Sequence, residues 1–132
     1  KKDNFDCLII INGDLITDID LDALSTFHLE SQNDITVTVA KYTYKLPFGL
    51  VSLDKDFSFK SLSEKPDISN FVLSGIYCLN KESCSFVNKK NIDMTEVISQ
   101  AHSKNKKIGI FPIFEYWKDI GNLSDFKAEK NK

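Results

Sequence analysis

A run of apolar residues, Cys7-Leu8-Ile9-Ile10-Ile11, stops abruptly at Asn12-Gly13-Asp14. An uninterrupted apolar run of this length, rich in isoleucine and bounded by turn residues, is typical of a strand buried on both faces, as in parallel sheets. In open α/β sheets, ligands bind beyond the carboxyl ends of the strands, so Asp14 is a candidate for holding a metal ion or a polar substrate. Gly13 would let a ligand come close to the backbone, because it has no Cβ.

The same residues have a simpler interpretation, since Asn-Gly is a common signal for a hairpin turn. The residues that follow favour a functional loop and then a helix. The apolar positions from Leu21 to His28 recur at helical spacing, and Asp18 or Asp20 would cap the helix. We interpret His28 as a structural residue of this helix.

The rest of the chain alternates between strand-like and helix-like segments, without an internal repeat or a linker. This interleaving predicts a single unit of the α/β class. Strands are predicted at residues 35–40, 48–53, 57–63, 71–79 and 108–114, a loop at 42–47, and helices that begin after residues 80, 93 and 122.

Composition excludes several classes of partner. With 132 residues, 42% hydrophobic residues and a formal charge of -2, the chain can bury one core, and neither nucleic acid nor an anionic membrane is suggested. All 17 basic residues are lysines. Arginine usually provides bidentate phosphate recognition, so here lysine, backbone amides, a metal ion or an additional part of the protein must do so.

The three cysteines, Cys7, Cys78 and Cys84, lack metal-ligand spacing and are interpreted as reduced thiols of a cytoplasmic protein. No signal peptide or apolar segment of membrane length is found. The polar residues 1–6 lead directly into a buried strand, so we expect further sequence upstream.

Charged residues follow three predicted strands, at Asp14, at Glu64-Lys65-Pro66 and at Trp117-Lys118-Asp119-Ile120-Gly121. Two carboxylates are a minimal Mg²⁺ site, because this ion completes its octahedron with water and substrate phosphates. A lysine beside a carboxylate could bind an anionic substrate and its hydroxyls. Alternatively, Asp119 is a helix cap, Glu64-Lys65 a solvated hairpin end and Trp117 a core residue.

In this order and spacing, these segments resemble the sugar-1-phosphate nucleotidylyltransferases over nearly all of the chain. Two segments, Tyr42-Thr43-Tyr44-Lys45-Leu46-Pro47-Phe48-Gly49 and Phe111-Pro112-Ile113-Phe114-Glu115-Tyr116-Trp117, resemble in particular the bacterial members that follow a pair of CBS modules. Those members make nucleotide-linked amino sugars for nonulosonic acid synthesis, and the resemblance implies a role in cell-surface polysaccharide biosynthesis. The matching segments are Ile11-Asn12-Gly13-Asp14, Pro47-Phe48-Gly49-Leu50-Val51, Glu64-Lys65-Pro66, Ser74-Gly75-Ile76-Tyr77 and Tyr116-Trp117-Lys118-Asp119-Ile120-Gly121.

The resemblance implies roles for individual residues. Asp14 and Asp119 would hold Mg²⁺, and Lys65 would bind the sugar phosphate. Glu64 would accept hydrogen bonds from sugar hydroxyls. The remaining substrate contacts would come from Gly13, Gly49, Ser74, Gly75 and Trp117.

The implied reaction is nucleotidyl transfer from a nucleoside triphosphate to a sugar-1-phosphate, which releases pyrophosphate. Guanylyl transfer to glucosamine- or mannose-1-phosphate is favoured, with thymidylyl transfer to glucose-1-phosphate also open. The Gly-rich, arginine-containing loop with which the family begins does not occur here. The resemblance therefore implies that residues 1–132 are the sugar-phosphate-binding half of a mixed, mostly parallel Rossmann-like fold, inactive alone.

Two further expectations concern alternatives and assembly. A catalytically silent regulatory or assembly subunit that binds sugar nucleotides is the alternative function, although retention of Asp14, Asp119 and Lys65 favours an enzyme. Exposed strand edges could promote a homo-oligomer.

Overall fold

The computed structural model describes residues 5–87 and 92–121. Strands and helices alternate along these residues, as the sequence predicts. The strands are β1 (Cys7–Ile11), β2 (Leu15–Thr17), β3 (Ile35–Lys45), β4 (Leu50–Leu53), β5 (Phe59–Ser63), β6 (Asp67–Asn80), β7 (Ile108–Ile113) and β8 (Trp117–Asp119), and the helices are α1 (Leu21–Glu30), α2 (Met94–Ser103) and a 3-10 helix at Ser83–Val87.

The central sheet has the strand order β1-β6-β3-β7. β1 pairs antiparallel with β6, and β3 pairs parallel with β7. β3 and β6 run in opposite directions, because Asp34 O accepts from Asn80 N whereas Ile76 O accepts from Thr38 Oγ1. The predicted α/β class and mixed sheet are confirmed, but the parallel share is smaller than predicted, since β6 runs against both of its neighbours.

The Lys1–Ala40 and Leu73–Lys132 segments form one compact unit, whose described part contains the core. Alternate residues of β6 face opposite sides of the sheet, so each side has its own apolar cluster. On one side lie Ile35, Val37, Val39, Tyr77, Leu79, Val97 and Ala101, with α2 and the 3-10 helix, and on the other lie Leu24, Ile76, Cys78 and Ile113, with α1.

Acidic and amide caps fix where the helices begin. Asp20, one of the two predicted caps, accepts a hydrogen bond from Ala23 N at 2.9 Å, and Asp93 accepts one from Thr95 N at 3.2 Å. Asn80 accepts from Ser83 N at 2.8 Å and starts the predicted short helix. The helix predicted to begin at Asn122 lies outside the described residues.

The structure changes the interpretation of β1. Both of its faces contact the core, since Cys7 and Ile9 pack on one cluster and Ile10 packs on the other. Among the described strands, however, β1 lies at an edge of the sheet with β6 as its paired neighbour, and Leu8 and Ile11 are exposed. The apolar run predicted a strand inside a parallel sheet. Such a run indicates that both faces of the strand contact the core, but it does not indicate how many neighbouring strands form hydrogen bonds with it.

The prediction of a loop at residues 42–47 is wrong for most of these residues. β3 continues to Lys45, and the Thr43 and Ser69 hydroxyls are 2.7 Å apart across β3 and β6. Pairing with a second long strand keeps the polar segment extended, although its side chains are exposed. The short strands β2 and β8 were not predicted, because each is stabilised by the other and not by a local apolar pattern.

The second compact unit is Lys41–Val72, which includes the antiparallel hairpin of β4 and β5. The predicted hairpin is confirmed, and each of its strands begins two residues later than predicted. Its register shifts between Ser52 and Leu53, where a bulge lies. None of the described helices is long and apolar enough to cross a membrane.

Candidate active site

The Asn12-Gly13-Asp14 segment lies beside Gly75 of β6. β1 ends opposite Ile76, and the next residue, Asn12, donates its main-chain N–H to Gly75 O at 2.9 Å. Asp14 leads into β2, which pairs with β8 and not with β1. The hairpin interpretation of Asn12-Gly13 is therefore wrong, and the segment is a loop between two different sheets.

Gly75 is a point of close approach within this loop region. Its φ is +80°, a left-handed conformation that side chains rarely adopt. A Cβ there would lie 2.8 Å from Asn12 Nδ2 and 3.0 Å from Leu15 Cδ1. The strand-internal glycine thus allows the Asn12 loop to pack directly on β6, as the sequence suggested for a glycine inside a strand.

Pairing of β2 with β8 brings Asp14 and Asp119 together from distant parts of the chain. Leu15 is paired with Asp119, and Ile120 N donates to Asp14 O at 2.9 Å. Both aspartates are exposed. The Asp119 carboxylate also accepts from Gly121 N at 2.9 Å, which holds it in a local turn. The main chains of the two candidate metal ligands are therefore adjacent.

Trp117 and Ser74 are also in contact. The Trp117 indole N–H donates to Ser74 O at 2.8 Å, and the half-buried ring packs against the cluster that contains Leu24 and Ile76. Trp117 is therefore partly a core residue, which was the alternative interpretation from the sequence.

The Ser74 hydroxyl points away from solvent. It is buried and hydrogen-bonded to Thr38 Oγ1, which in turn donates to Ile76 O at 2.6 Å. Because the single Thr38 proton goes to Ile76 O, the Ser74 hydroxyl donates to Thr38. Sequence reasoning missed Thr38; the signal was a polar residue within the buried alternating segment of β3.

In the Lys41–Val72 unit, the structure brings Gly49 and Glu64 together. A Cβ on Gly49 would lie 3.2 Å from Glu64 Oε2. Lys65 Nζ is 3.9 Å from Glu64 Oε1, with both side chains largely exposed. Lys65 also has a φ of +44°, an uncommon conformation for a residue with a side chain. Such an exposed ion pair contributes little stability, and both charged groups are accessible to a ligand.

The donor set suits one kind of metal. Within residues 5–87 and 92–121, no group of three or more His, Cys, Asp or Glu side chains could hold a metal ion. Two carboxylates on adjacent main-chain segments, without soft ligands, fit Mg²⁺, which retains several waters and binds substrate phosphates. They do not fit a structural zinc site, which needs four protein ligands.

The chain resembles curated relatives along almost its whole length. It is 26% identical over 130 residues to a mannose-1-phosphate guanyltransferase of Debaryomyces hansenii, which covers 96% of this chain and 36% of that protein. It is 24% identical over 131 residues to a glucose-1-phosphate adenylyltransferase of Halalkalibacterium halodurans, which covers 90% of this chain and 34% of the relative. The chain thus spans about a third of the length of these relatives.

Solved structures show the same fold. HddC from Yersinia pseudotuberculosis superposes with a TM-score of 0.63 at 22% identity, over 97% of this chain and 56% of HddC. The same protein complexed with GMP-PN gives a TM-score of 0.63 at 21% identity, again over 97% and 56% of the two chains. The sequence profile described as "Nucleotidyl transferase" matches residues 1–132. The chain therefore belongs to the nucleotidyl transferase family.

Proposed function

We propose that this chain is the sugar-1-phosphate-binding part of an Mg²⁺-dependent sugar-1-phosphate nucleotidylyltransferase. One observation carries the proposal: the β2–β8 pairing places Asp14 and Asp119 side by side although 104 residues separate them along the chain. An α/β domain without ligand chemistry gives no reason to place one exposed carboxylate just before β2 and another at the end of β8, its paired strand. The family membership supports the same assignment.

Asp14 and Asp119 would hold the Mg²⁺ ion through carboxylate oxygens. When bound, the ion neutralises charge on the nucleotide and sugar phosphates. Gly13 has open space where a Cβ would be, so substrate can approach the main chain between Asn12 and Asp14. These residues would therefore contribute negative charge for the metal ion and an open approach to the main chain for the substrate.

In the Lys41–Val72 unit, Lys65 would bind the sugar phosphate and Glu64 would accept hydrogen bonds from sugar hydroxyls. Gly49 leaves the Glu64 carboxylate accessible, since any side chain at position 49 would crowd Oε2. The chain has no arginine, so lysine is its only cationic side chain for phosphate apart from histidine.

In the proposed reaction, an oxygen of the sugar-1-phosphate forms a bond to the α-phosphorus of the nucleoside triphosphate. The bond from the α-phosphorus to the oxygen that bridges to the β-phosphorus breaks, and pyrophosphate leaves with its electron pair. No side chain forms a covalent intermediate. The residues of this chain act by binding and orienting the sugar phosphate.

The proposed substrates are GTP with mannose- or glucosamine-1-phosphate, with dTTP and glucose-1-phosphate as the second pair. A relative named mannose-1-phosphate guanyltransferase supports guanylyl transfer, while adenylyltransferases among the relatives show that the family is not restricted to one base. We propose that residues 1–132 alone do not turn over, since no Gly-rich, arginine-containing loop occurs among them. The free thiols of Cys7, Cys78 and Cys84 agree with the proposed cytoplasmic location.

The test is pyrophosphate release with Mg²⁺, with four nucleoside triphosphates crossed against glucosamine-, glucose- and mannose-1-phosphate. It is run on the complete gene product and on residues 1–132 in parallel. Asp14→Asn and Asp119→Asn should each lower kcat about 100-fold or more, because each removes a carboxylate that would hold the Mg²⁺ ion and its neutralisation of phosphate charge. Asp22→Asn, at an exposed aspartate in the first turn of α1, is the matched control and should retain activity.

Binding provides a readout besides turnover. Paramagnetic Mn²⁺ added to labelled residues 1–132 should broaden the amide signals of Asp14 and Asp119 and spare Asp22. Turnover by residues 1–132 would contradict the inactive-alone proposal. Sugar-nucleotide binding without turnover by the complete gene product would favour the regulatory alternative.

A further inference from the structure

Three consecutive carbonyl groups of β6 accept hydrogen bonds from three different segments of the chain. Ser74 O accepts from the Trp117 indole at 2.8 Å, Gly75 O from Asn12 N at 2.9 Å and Ile76 O from Thr38 Oγ1 at 2.6 Å. Gly75, with its left-handed φ of +80°, lies in the middle, so its backbone conformation determines the directions of the carbonyls around it. We call these three groups the β6 carbonyl row.

Two of the three donors to this row precede the candidate metal ligands. Asn12 is two residues before Asp14, and Trp117 is two residues before Asp119. Trp117 and Asp119 lie on the same short strand, β8, so a shift of the indole along β6 would also shift the Asp119 main chain. The β6 carbonyl row therefore connects the main chains of both candidate ligands to the central sheet.

Thr38 is hydrogen-bonded to both ends of the β6 carbonyl row. Its hydroxyl donates to Ile76 O and accepts from the Ser74 hydroxyl. Both side chains are buried, since Thr38 is 0% and Ser74 1% exposed. Thr38 thus holds the residue before Gly75 by its side chain and the residue after Gly75 by its carbonyl.

A simpler interpretation is that these hydroxyls only satisfy each other within the core. Stability alone gives little reason for such a pair, because two hydrogen-bonded partners replaced by apolar groups of the same shape can leave stability almost unchanged. A hydrogen bond differs from apolar packing in that it depends on angle as well as distance. The pair is therefore suited to fixing the orientation of the β6 carbonyl row.

We propose that Thr38 is a positioning residue, which acts through Ser74 and the β6 carbonyl row to hold the main chains of Asp14 and Asp119 in place for a divalent metal ion. This inference rests on the proposed function. Thr38 is enclosed in the core, so it acts without touching substrate or metal. Residues that orient metal ligands typically change metal affinity or activity 10–100-fold when replaced, and because Thr38 acts indirectly we expect the lower end, about tenfold.

The test is Thr38→Val, which removes the hydroxyl and nearly keeps the shape of the side chain. Mn²⁺ affinity is measured from the broadening of the Asp14 and Asp119 amide signals of the labelled chain, and it should fall about tenfold. The indole N–H of Trp117, which gives a single signal because the chain has one tryptophan, should exchange faster with water. Thr38→Ser keeps the hydroxyl and should restore both properties.

Thr36→Val is the matched control. Thr36 lies two residues earlier on β3 and is equally buried, but its hydroxyl is bonded to His28 and Asn33 and not to β6. The same substitution there should leave both the Mn²⁺ affinity and the Trp117 signal unchanged.

A merely structural role for Thr38 would lower the free energy of unfolding but leave the Mn²⁺ affinity of the folded chain unchanged, and this result overturns the proposal. An equal loss of affinity in Thr36→Val, or no recovery in Thr38→Ser, also overturns it. If Thr38→Val does not fold, Ser74→Ala replaces it, since this change removes the donor to Thr38 and should weaken Mn²⁺ binding in the same way.

The same data separate this inference from the proposed function. Loss of Mn²⁺ binding in Asp14→Asn, together with unchanged affinity in Thr38→Val, overturns the role of Thr38 alone. Absence of Mn²⁺ binding in the unsubstituted chain overturns both.

Discussion

Gly75 shows how a single backbone conformation supports the candidate active site. Its left-handed φ of +80° lets Asn12 pack against β6 at the point where the loop carrying Asp14 begins. The atoms nearest to a Cβ at position 75 would belong to the end of the Asn12 side chain, which can rotate away. The backbone conformation cannot be relieved in the same way, so strain and not crowding should determine the effect of a substitution.

We therefore predict that Gly75→Ala lowers the free energy of unfolding by about 1–2 kcal/mol, the cost of a left-handed residue with a Cβ. Gly13→Ala is the control and should change stability by less than about 0.5 kcal/mol, because a Cβ at position 13 meets no atom within 4 Å. Urea unfolding measures both. If Asn12→Ala restored the stability of Gly75→Ala, crowding would be the cause and the strain argument would be wrong.

His28 is buried, and its effect on the free energy of unfolding depends on pH. Nδ1 lies 2.8 Å from Thr36 Oγ1, while Nε2 is buried and has no hydrogen-bond partner among the described residues. Burial lowers the pKa of His28 below 6.5, and the nearby Asp34 carboxylate opposes this only in part. The structural role inferred from the sequence agrees with this position.

Because the pKa of His28 is lower in the folded chain, the unfolded chain binds more protons as pH falls below about 6.5. We predict that the free energy of unfolding decreases from that pH down to the folded pKa, by at most about 1.4 kcal/mol per pH unit. His28→Gln should flatten this part of the curve, measured by chemical unfolding at several pH values. His102→Gln, on the exposed surface of α2, controls for the loss of an imidazole, and an unchanged slope in His28→Gln would exclude His28 as the cause.

Asp34 connects several elements at one end of the central sheet. Its carboxylate accepts from Lys107 N at 2.8 Å, from Asn80 Nδ2 at 3.0 Å and from Lys106 Nζ at 3.3 Å. The loop after α1, the end of β6 and the segment before β7 are thereby joined. Partial burial acts to raise the pKa of Asp34, but the hydrogen bonds and the Lys106 charge outweigh it, so the pKa lies below 3.8.

We predict that Asp34→Asn lowers the free energy of unfolding by about 1–3 kcal/mol, since charged hydrogen bonds to a partly buried acceptor are lost. Glu82→Gln is the matched control, because Glu82 binds the same Lys106 ammonium at 3.4 Å but is largely exposed, and it should cost at most about 1 kcal/mol. Thermal unfolding at neutral pH compares them. The Asp34 contribution should also disappear as pH falls below 3.8 through its folded pKa. Equal losses in both variants would show that Asp34 is not the stabilising partner.

At the scale of elements, sequence patterns predicted those helices and strands that are stabilised by residues close together in the chain. Helix α1 and the starts of both α-helices follow from apolar spacing and from the caps Asp20 and Asp93. Strands β2 and β8 could not be predicted in this way, because each consists of three residues held by the other. The same limit applies to the candidate site: the charged motifs were identifiable, but the buried Ser74–Thr38 hydroxyl pair depends on which strands become neighbours.

At the scale of the whole molecule, the chain consists of two units with different character. The unit formed by Lys1–Ala40 and Leu73–Lys132 has apolar clusters on both sides of its sheet, whereas no residue of Lys41–Val72 is buried. The interleaving of strand-like and helix-like segments predicted a single unit, because apolar residues occur in all of these segments. Whether such residues are covered depends on tertiary and quaternary neighbours, which composition does not report.

The pairing of β2 with β8 also has a consequence for the order of folding. Closing a loop of roughly 100 residues is entropically costly, and contacts between distant residues form slowly compared with helices and hairpins. The hairpin of β4 and β5 can form early, whereas Asp14 and Asp119 meet only after the central sheet has joined the two ends of the chain. We therefore expect the proposed Mg²⁺ binding to appear in the last kinetic phase of refolding, and Mg²⁺ to slow unfolding more than it accelerates folding.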